Sequence, residues 1–297
     1  STYLEEHIKS PSKERGKIGE IIRSCASRHG YICDTHAPSR EHVIYAENKK
    51  GENVVIKGQT KEEEIIALKA LQHHPHHVKL EDFFWANIHS DSIIIVLERL
   101  SGDLVNLLEQ NNGFLFEQKA FRYLHQIVDA INYLHELQIY HRDLAPDNIL
   151  YDIKTDTVCI CDLGLVQINQ KDTCTEPVGK LLYAAPELLT SSKDSVSTFH
   201  SEKLDIWCIG CILCYMIIGD VPWKTSSFEF YKYSIQTSKS KPCRFCDYLP
   251  ESYILKKKSD LILGKYSSVF LNNILKVDSL RRPTTNGLLF AIEAIQW

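Results

Sequence analysis

The spacing of apolar positions changes character near residue 100. Before it, short apolar runs dominate: His42-Val43-Ile44-Tyr45-Ala46 and Asn53-Val54-Val55-Ile56-Lys57 flank the polar turn Asn48-Lys49-Lys50-Gly51. That pairing predicts a hairpin within a β-like stretch from about 18 to 57. Residues 61–72 set Ile65, Leu68 and Leu71 on one face and predict a helix. Val78–Phe84 and Ser92–Leu97 read as further strands, giving five strands and one helix in this region. Residues 1–16 are polar, broken by Ser10-Pro11-Ser12, and read as a loosely packed extension.

Beyond residue 100 the period is helical. Phe121, Leu124, Ile127, Val128, Ile131 and Leu134 recur at helical spacing and predict an amphipathic helix over 117–137. Residues 149–168 predict two short strands around Asp162-Leu163-Gly164. An apolar helix over about 204–218 and further helices to Trp297 follow. The longest near-continuous apolar stretch, Trp207 to Gly219, is too short to span a bilayer.

Composition narrows the class. The 297 residues are 44% hydrophobic and 24% charged, as in ordinary soluble globular proteins. A net charge of −4 gives no general case for nucleic-acid or membrane attraction, and no secretory signal is read. Of ten cysteines, Cys159, Cys161, Cys208, Cys211 and Cys214 fall inside predicted core elements, which points to a reduced intracellular compartment. Cys243-x-x-Cys246 has metal spacing but no second pair. It and the His73-His74-Pro75-His76-His77 cluster read as loops rather than zinc sites.

The chemistry lies in His141-Arg142-Asp143-Leu144-Ala145-Pro146-Asp147-Asn148, followed fourteen residues after Asn148 by Asp162-Leu163-Gly164. Asp143 is placed to accept a hydroxyl proton, and Asn148 with Asp162 to hold magnesium ions that bridge nucleotide phosphates. The run resembles the catalytic loop and metal-binding triplet of eukaryotic protein kinases. Other motifs follow in the order of that family. Val54-Val55-Ile56-Lys57 resembles the strand whose lysine grips the phosphates. Glu64, favoured over Glu62 and Glu63 by helical phase, resembles the glutamate that holds that lysine. Glu98-Arg99-Leu100 resembles the hinge that meets adenine, with Leu97 guarding the back of the pocket and Val43, Val55 and Leu150 around the ring. Asp103 reads as a ribose or substrate contact or as a helix N-cap. Ala185-Pro186-Glu187 with Arg282, and Asp205-x-Trp207-x-x-Gly210, resemble the family's structural motifs.

The resemblance implies an α+β, two-lobed protein kinase fold: an extension over 1–16, a small β-rich N-lobe over 17–100 and a large α-helical C-lobe over 101–297. It also implies ATP and Mg2+ as cofactors, a protein substrate, and a monomer without nucleic-acid or membrane partners.

Two departures stand out. The family's phosphate-covering glycines fall at His36, Pro38 and Glu41 in one register, and at Cys25, Ser27 and Gly30 in another, which keeps only the last. Glycines there would let backbone amides approach phosphates closely. The second departure is Ala145, where serine/threonine kinases carry a lysine that steadies the γ-phosphate. The arginine of tyrosine kinases is absent both there and at Asp147. Lys180, after the retained Gly179, reads either as the missing cation or as a substrate-docking lysine. Thr173 and Thr175 are candidate phosphosites, and Glu176 is expected to pair with Arg142 in place of a phosphate. The resulting expectation is a serine/threonine protein kinase. A partner-binding pseudokinase is the alternative, and a kinase of small molecules is disfavoured by the Ala185-Pro186-Glu187 segment.

Overall fold

A computed structural model describes residues 12–35, 42–86, 92–168, 172–190, 198–221 and 264–295. The chain divides into two compact units, Ser1–Ser101 and Gly102–Trp297. The expected glycine register at His36, Pro38 and Glu41 and the Cys243/Cys246 pair lie outside the described residues.

The first unit is built on an antiparallel sheet ordered β1-β2-β3-β5-β4, comprising Ile32–Cys33, Val43–Glu47, Asn53–Thr60, Ile93–Glu98 and Leu80–Trp85 in that spatial order. Alternation sorts β3 between two faces. Val54 and Ile56 join Ile44, Ala46, Phe84, Ile94 and Val96 in one apolar layer. Val55 and Lys57 point the other way, and the register sets Val43 opposite Lys57, Tyr45 opposite Val55, and Val55 opposite Leu97. On its own helix, α2 (Glu62–Ala70), Glu64, Ile65, Ala67 and Leu68 are buried.

Helix α1 (Ser12–Arg28) corrects the β-like expectation over residues 18–28 and runs through the boundary expected at residue 16. Ile18, Ile21, Ile22 and Cys25 recur at i, i+3, i+4 and i+7, and this period outweighs the β-propensity of the isoleucines. Ile22, Cys25 and Ala26 are buried on the apolar layer of the sheet. Gly58 makes room for them, since a Cβ there would meet Ile22 Cδ1 at 2.6 Å. Past the end of the helix, Gly30 adopts φ +87, a left-handed stop that glycine takes without steric cost.

In the second unit, the short strand β6 (Gly102–Asp103) leads into α3 (Leu104–Gln110), which is capped by Asp103, whose side chain accepts from Asn106 N while Asn106 Oδ1 accepts from Asp103 N. The long α4 (Glu117–Glu136) buries Phe121, Leu124, Ile127, Val128, Ile131 and Leu134. It packs against α6 (Ser201–Ile218) and α8 (Thr285–Glu293), with α7 (Lys265–Ile274) on α6. Between α3 and α6 come β7 (Ile139–Tyr140), β8 (Ile149–Asp152), β9 (Thr157–Ile160), β10 (Gln167–Ile168), β11 (Thr173–Cys174), the short α5 (Pro186–Thr190) and β12 (Phe199–His200). The two strands expected around Asp162 both precede it as the β8–β9 hairpin, and β10, after it, pairs with β7. Helix α6 is buried on nearly every side, as its near-continuous apolar run from Ile206 requires, and stops at Gly219 with φ +78. A β-rich first unit and a helical second unit make the α+β two-lobed architecture.

Candidate active site

In the first unit Lys57 Nζ stands 2.7 Å from Glu64 Oε1. Glu64 is buried on the inner side of α2 while Glu62 and Glu63 face solvent, which is why helical phase selects it. A buried carboxylate needs such a partner, because an unpaired charge there is costly to desolvate. Cross-strand registry puts Val43, Val55 and Lys57 on one half-buried face, an apolar strip ending in an ammonium. At the end of β5, Glu98 Oε1 accepts from Lys79 N at 2.8 Å, and Leu100 is half-buried. The glycine register at Cys25 and Ser27 is overturned, because both lie within α1 and Gly30 is the stop after it.

The second unit assembles the catalytic loop around Asp205. This fully buried carboxylate accepts from His141 N (2.9 Å), Arg142 N (2.8 Å) and His135 Nε2 (2.8 Å). Burial pushes its pKa up, but the hydrogen bond and charge of His135, with His141 and the Arg142 amide, hold it below the usual aspartate range. The brace fixes an unusual backbone, since Arg142 sits at φ +66. His141 is buried, its Nε2 3.1 Å from the Cys161 carbonyl and its Nδ1 3.3 Å from the Asp143 amide.

Asp143 follows. Asn148 Nδ2 donates to its backbone oxygen at 2.7 Å and to its Oδ2 at 3.1 Å, while Asp143 Oδ1 is buried with no hydrogen-bond partner. Burial raises the Asp143 pKa, opposed by the charges of Lys180 and His141 and reinforced by Asp162. Asp162, at φ +62, accepts from Gly164 N at 3.3 Å. Lys180 Nζ lies 2.6 Å from Asp147 Oδ1, 3.4 Å from Asn148 Oδ1 and 4.0 Å from Asp143 Oδ2. Asp147 escaped the sequence reading as a site residue. Its signal was an acid two residues after a missing cation, which suits a lysine arriving from elsewhere.

Around this core, Arg142 Nη2 donates to the backbone oxygen of Glu176 at 2.9 Å. The expected pairing with the Glu176 carboxylate is therefore corrected: Nη2 meets a main-chain carbonyl instead, and the Glu176 side chain faces solvent. Arg282 forms a two-pronged bond to Glu187, both arms 2.7 Å, with its guanidinium 4.9 Å from the Trp207 ring centre. Leu150, on β8, is half-buried. Asp103 is the N-cap of α3.

The donor set suits a hard divalent cation. The Asn148 amide nitrogen is committed to Asp143, which leaves its Oδ1 on the side of Lys180, and Asp162 carries a carboxylate. Residues 33–291 match the protein kinase domain. The chain belongs to the protein kinase family. It is 32% identical over 212 residues to a probable serine/threonine-protein kinase KIN1 homolog of Enterocytozoon bieneusi, covering 70% of this chain and 33% of that protein. It is 26% identical over 279 residues to an Aurora kinase of Candida glabrata, covering 92% and 66%. To the serine/threonine-protein kinase CHK1 of Saccharomyces cerevisiae it is 34% identical over 173 residues, covering 56% and 31%. The chain thus spans between about a third and two thirds of the length of these relatives. Protein kinases use ATP and Mg2+, and they work by positioning and charge rather than by covalent chemistry from the protein. No helix among the described residues of this kinase is long and apolar enough to cross a membrane.

Proposed function

We propose that this chain is a serine/threonine protein kinase that transfers the γ-phosphoryl group of ATP to hydroxyls of protein substrates. The observation that carries the reading is the buried, unpartnered Asp143 Oδ1 beside Asn148 and Lys180. A buried acceptor without a donor is costly, and a substrate hydroxyl supplies the donor. Asp143 orients that hydroxyl and takes its proton. Asn148 Oδ1 and the Asp162 carboxylate hold magnesium, which when bound neutralises the phosphate oxygens. In the first unit Lys57, steadied by Glu64, grips the phosphates. Val43 and Val55 supply apolar surface for adenine, and the backbone of Glu98 and Leu100 supplies its hydrogen bonds. Serine/threonine over tyrosine rests on the absence of the tyrosine-kinase arginine at Ala145 and Asp147, and on the serine/threonine class of the relatives named above. Cys25, Cys174, Cys208, Cys211 and Cys214 are buried thiols, which supports an intracellular setting, and we take the enzyme to act as a monomer.

The test is transfer of labelled phosphate from Mg·ATP to the protein itself and to a generic basic protein, for wild type beside Asp143→Asn, with phosphoamino-acid analysis. Label on serine or threonine that vanishes in the variant is the expected result. If the folded wild type, including an activation-segment phosphorylated form, transfers no more than the variant, the reading fails and a partner-binding role replaces it.

A further inference from the structure

We propose that in this kinase the cation facing the transferring phosphoryl group is carried by the activation segment, on Lys180, and not by the catalytic loop. The inference rests on the kinase reading above and deepens it. Ala145 is fully buried and offers the loop no charge. Lys180 brings an ammonium from the other side of the loop, 4.0 Å from Asp143 Oδ2 and 3.4 Å from Asn148 Oδ1. A hydroxyl held by Asp143 lies about 3 Å from that carboxylate, and the phosphorus it attacks about 3 Å further on. The phosphoryl oxygens therefore fall within reach of a lysine whose nitrogen already borders the base and the proposed metal ligand.

Lys180 is free to turn to them. Its partner Asp147 is as exposed as it is, each about a third, so solvent screens their ion pair and leaves it weak. Asp147 keeps the ammonium beside the reaction centre without fixing it. The backbone supplies the aim. Gly179, at φ +101, lies so close to the loop that a Cβ would meet the Arg142 carbonyl at 2.8 Å. Tyr183 N donates to the Lys180 carbonyl at 2.9 Å, and Arg142 holds the Glu176 carbonyl. The consequence is conditional catalysis. A charge built into a catalytic loop is always present, whereas this one arrives only when residues 176–183 dock on the loop.

The test uses an ATP analogue bearing an activated acyl group on its terminal phosphate. A lysine amine at that phosphate attacks the acyl carbon. The N–C amide bond forms, the C–O bond to phosphate breaks, ATP departs with the electron pair and the amine proton passes to solvent. Labelled lysines are then located by mass spectrometry. We expect label on both Lys57 and Lys180, both blocked by excess Mg·ATP, with Lys180 label falling in Gly179→Ala while Lys57 label persists. Lys180→Ala should lower kcat about 100- to 1000-fold with little change in the KM for ATP. Label on Lys57 without Lys180 overturns the inference and leaves the kinase reading standing. Label on neither in a folded protein overturns both. A Lys180→Ala enzyme with kcat within twofold of wild type and a raised KM for peptide makes Lys180 a substrate-docking lysine and also overturns the inference.

Discussion

Replacing Asp205 with asparagine changes one oxygen to an NH2 and removes a charge, with no change in volume. Three donors converge on that carboxylate: His141 N and His135 Nε2 at Oδ2, and Arg142 N at Oδ1. The remaining amide oxygen can serve the first two. The new NH2 then faces the Arg142 amide across the present 2.8 Å contact, donor against donor, in a fully buried place. Loss of one charge-assisted bond and an unsatisfied buried donor cost about 2–4 kcal/mol. For a domain of this size that lowers Tm by about 5–15 °C. Function should fall with stability, and unevenly. Arg142 is held at φ +66 by this brace, so relaxation shifts Asp143 and lowers kcat at least about tenfold, while Lys57 and Glu64 in the other unit keep the KM for ATP. Urea denaturation followed by circular dichroism gives the first quantity and steady-state kinetics the second. Stability within about 0.5 kcal/mol of wild type, together with unchanged kcat, would refute the reasoning. The pH dependence has a definite sign. Because the folded pKa of Asp205 is depressed, its stabilisation is complete above the unfolded value of about 4 and is lost as pH falls through the folded one. The gap between wild type and variant should therefore close from about pH 4 downward.

Two further outcomes follow from the same geometry. Arg282→Lys should cost about 2–4 kcal/mol, because one ammonium cannot replace both arms to Glu187, the bonds to the Lys276 and Lys203 carbonyls and the stacking on Trp207. A thermal melt unchanged from wild type would contradict that. The acid limb of kcat/KM should lie above the ordinary aspartate range, since burial raises the pKa of Asp143 and the base must be ionised. It should move higher still in Lys180→Ala, and a limb that stays at ordinary aspartate pH would remove the case for a buried base.

The loop over residues 141–148 was legible in the sequence because phosphoryl transfer demands certain residue types at fixed spacing, and that spacing stands in the text. Lys57 and Glu64 were legible for a related reason: strand and helix periods dictate which of three consecutive glutamates turns inward. What escaped depends on tertiary choice. In α1 the isoleucines are compatible with a strand, and only the helical recurrence of Ile18, Ile22 and Cys25 against the sheet decides the matter. Glu176 was chosen for its charge, while the folded segment presents its carbonyl to Arg142. Asp147 had no meaning as a site residue until Lys180 was placed beside it.

Helix α1 ends at Arg28, and the match to the protein kinase domain begins at residue 33. A fragment cut where that match starts would keep every proposed catalytic residue and lose the cover of its own sheet. Ile44, Val54, Ile56, Ile94 and Val96 would then face water as a broad greasy plate, the kind of surface that drives proteins to clump. The comparative boundary and the folding boundary are thus different places along the chain, and expression vectors should respect the second.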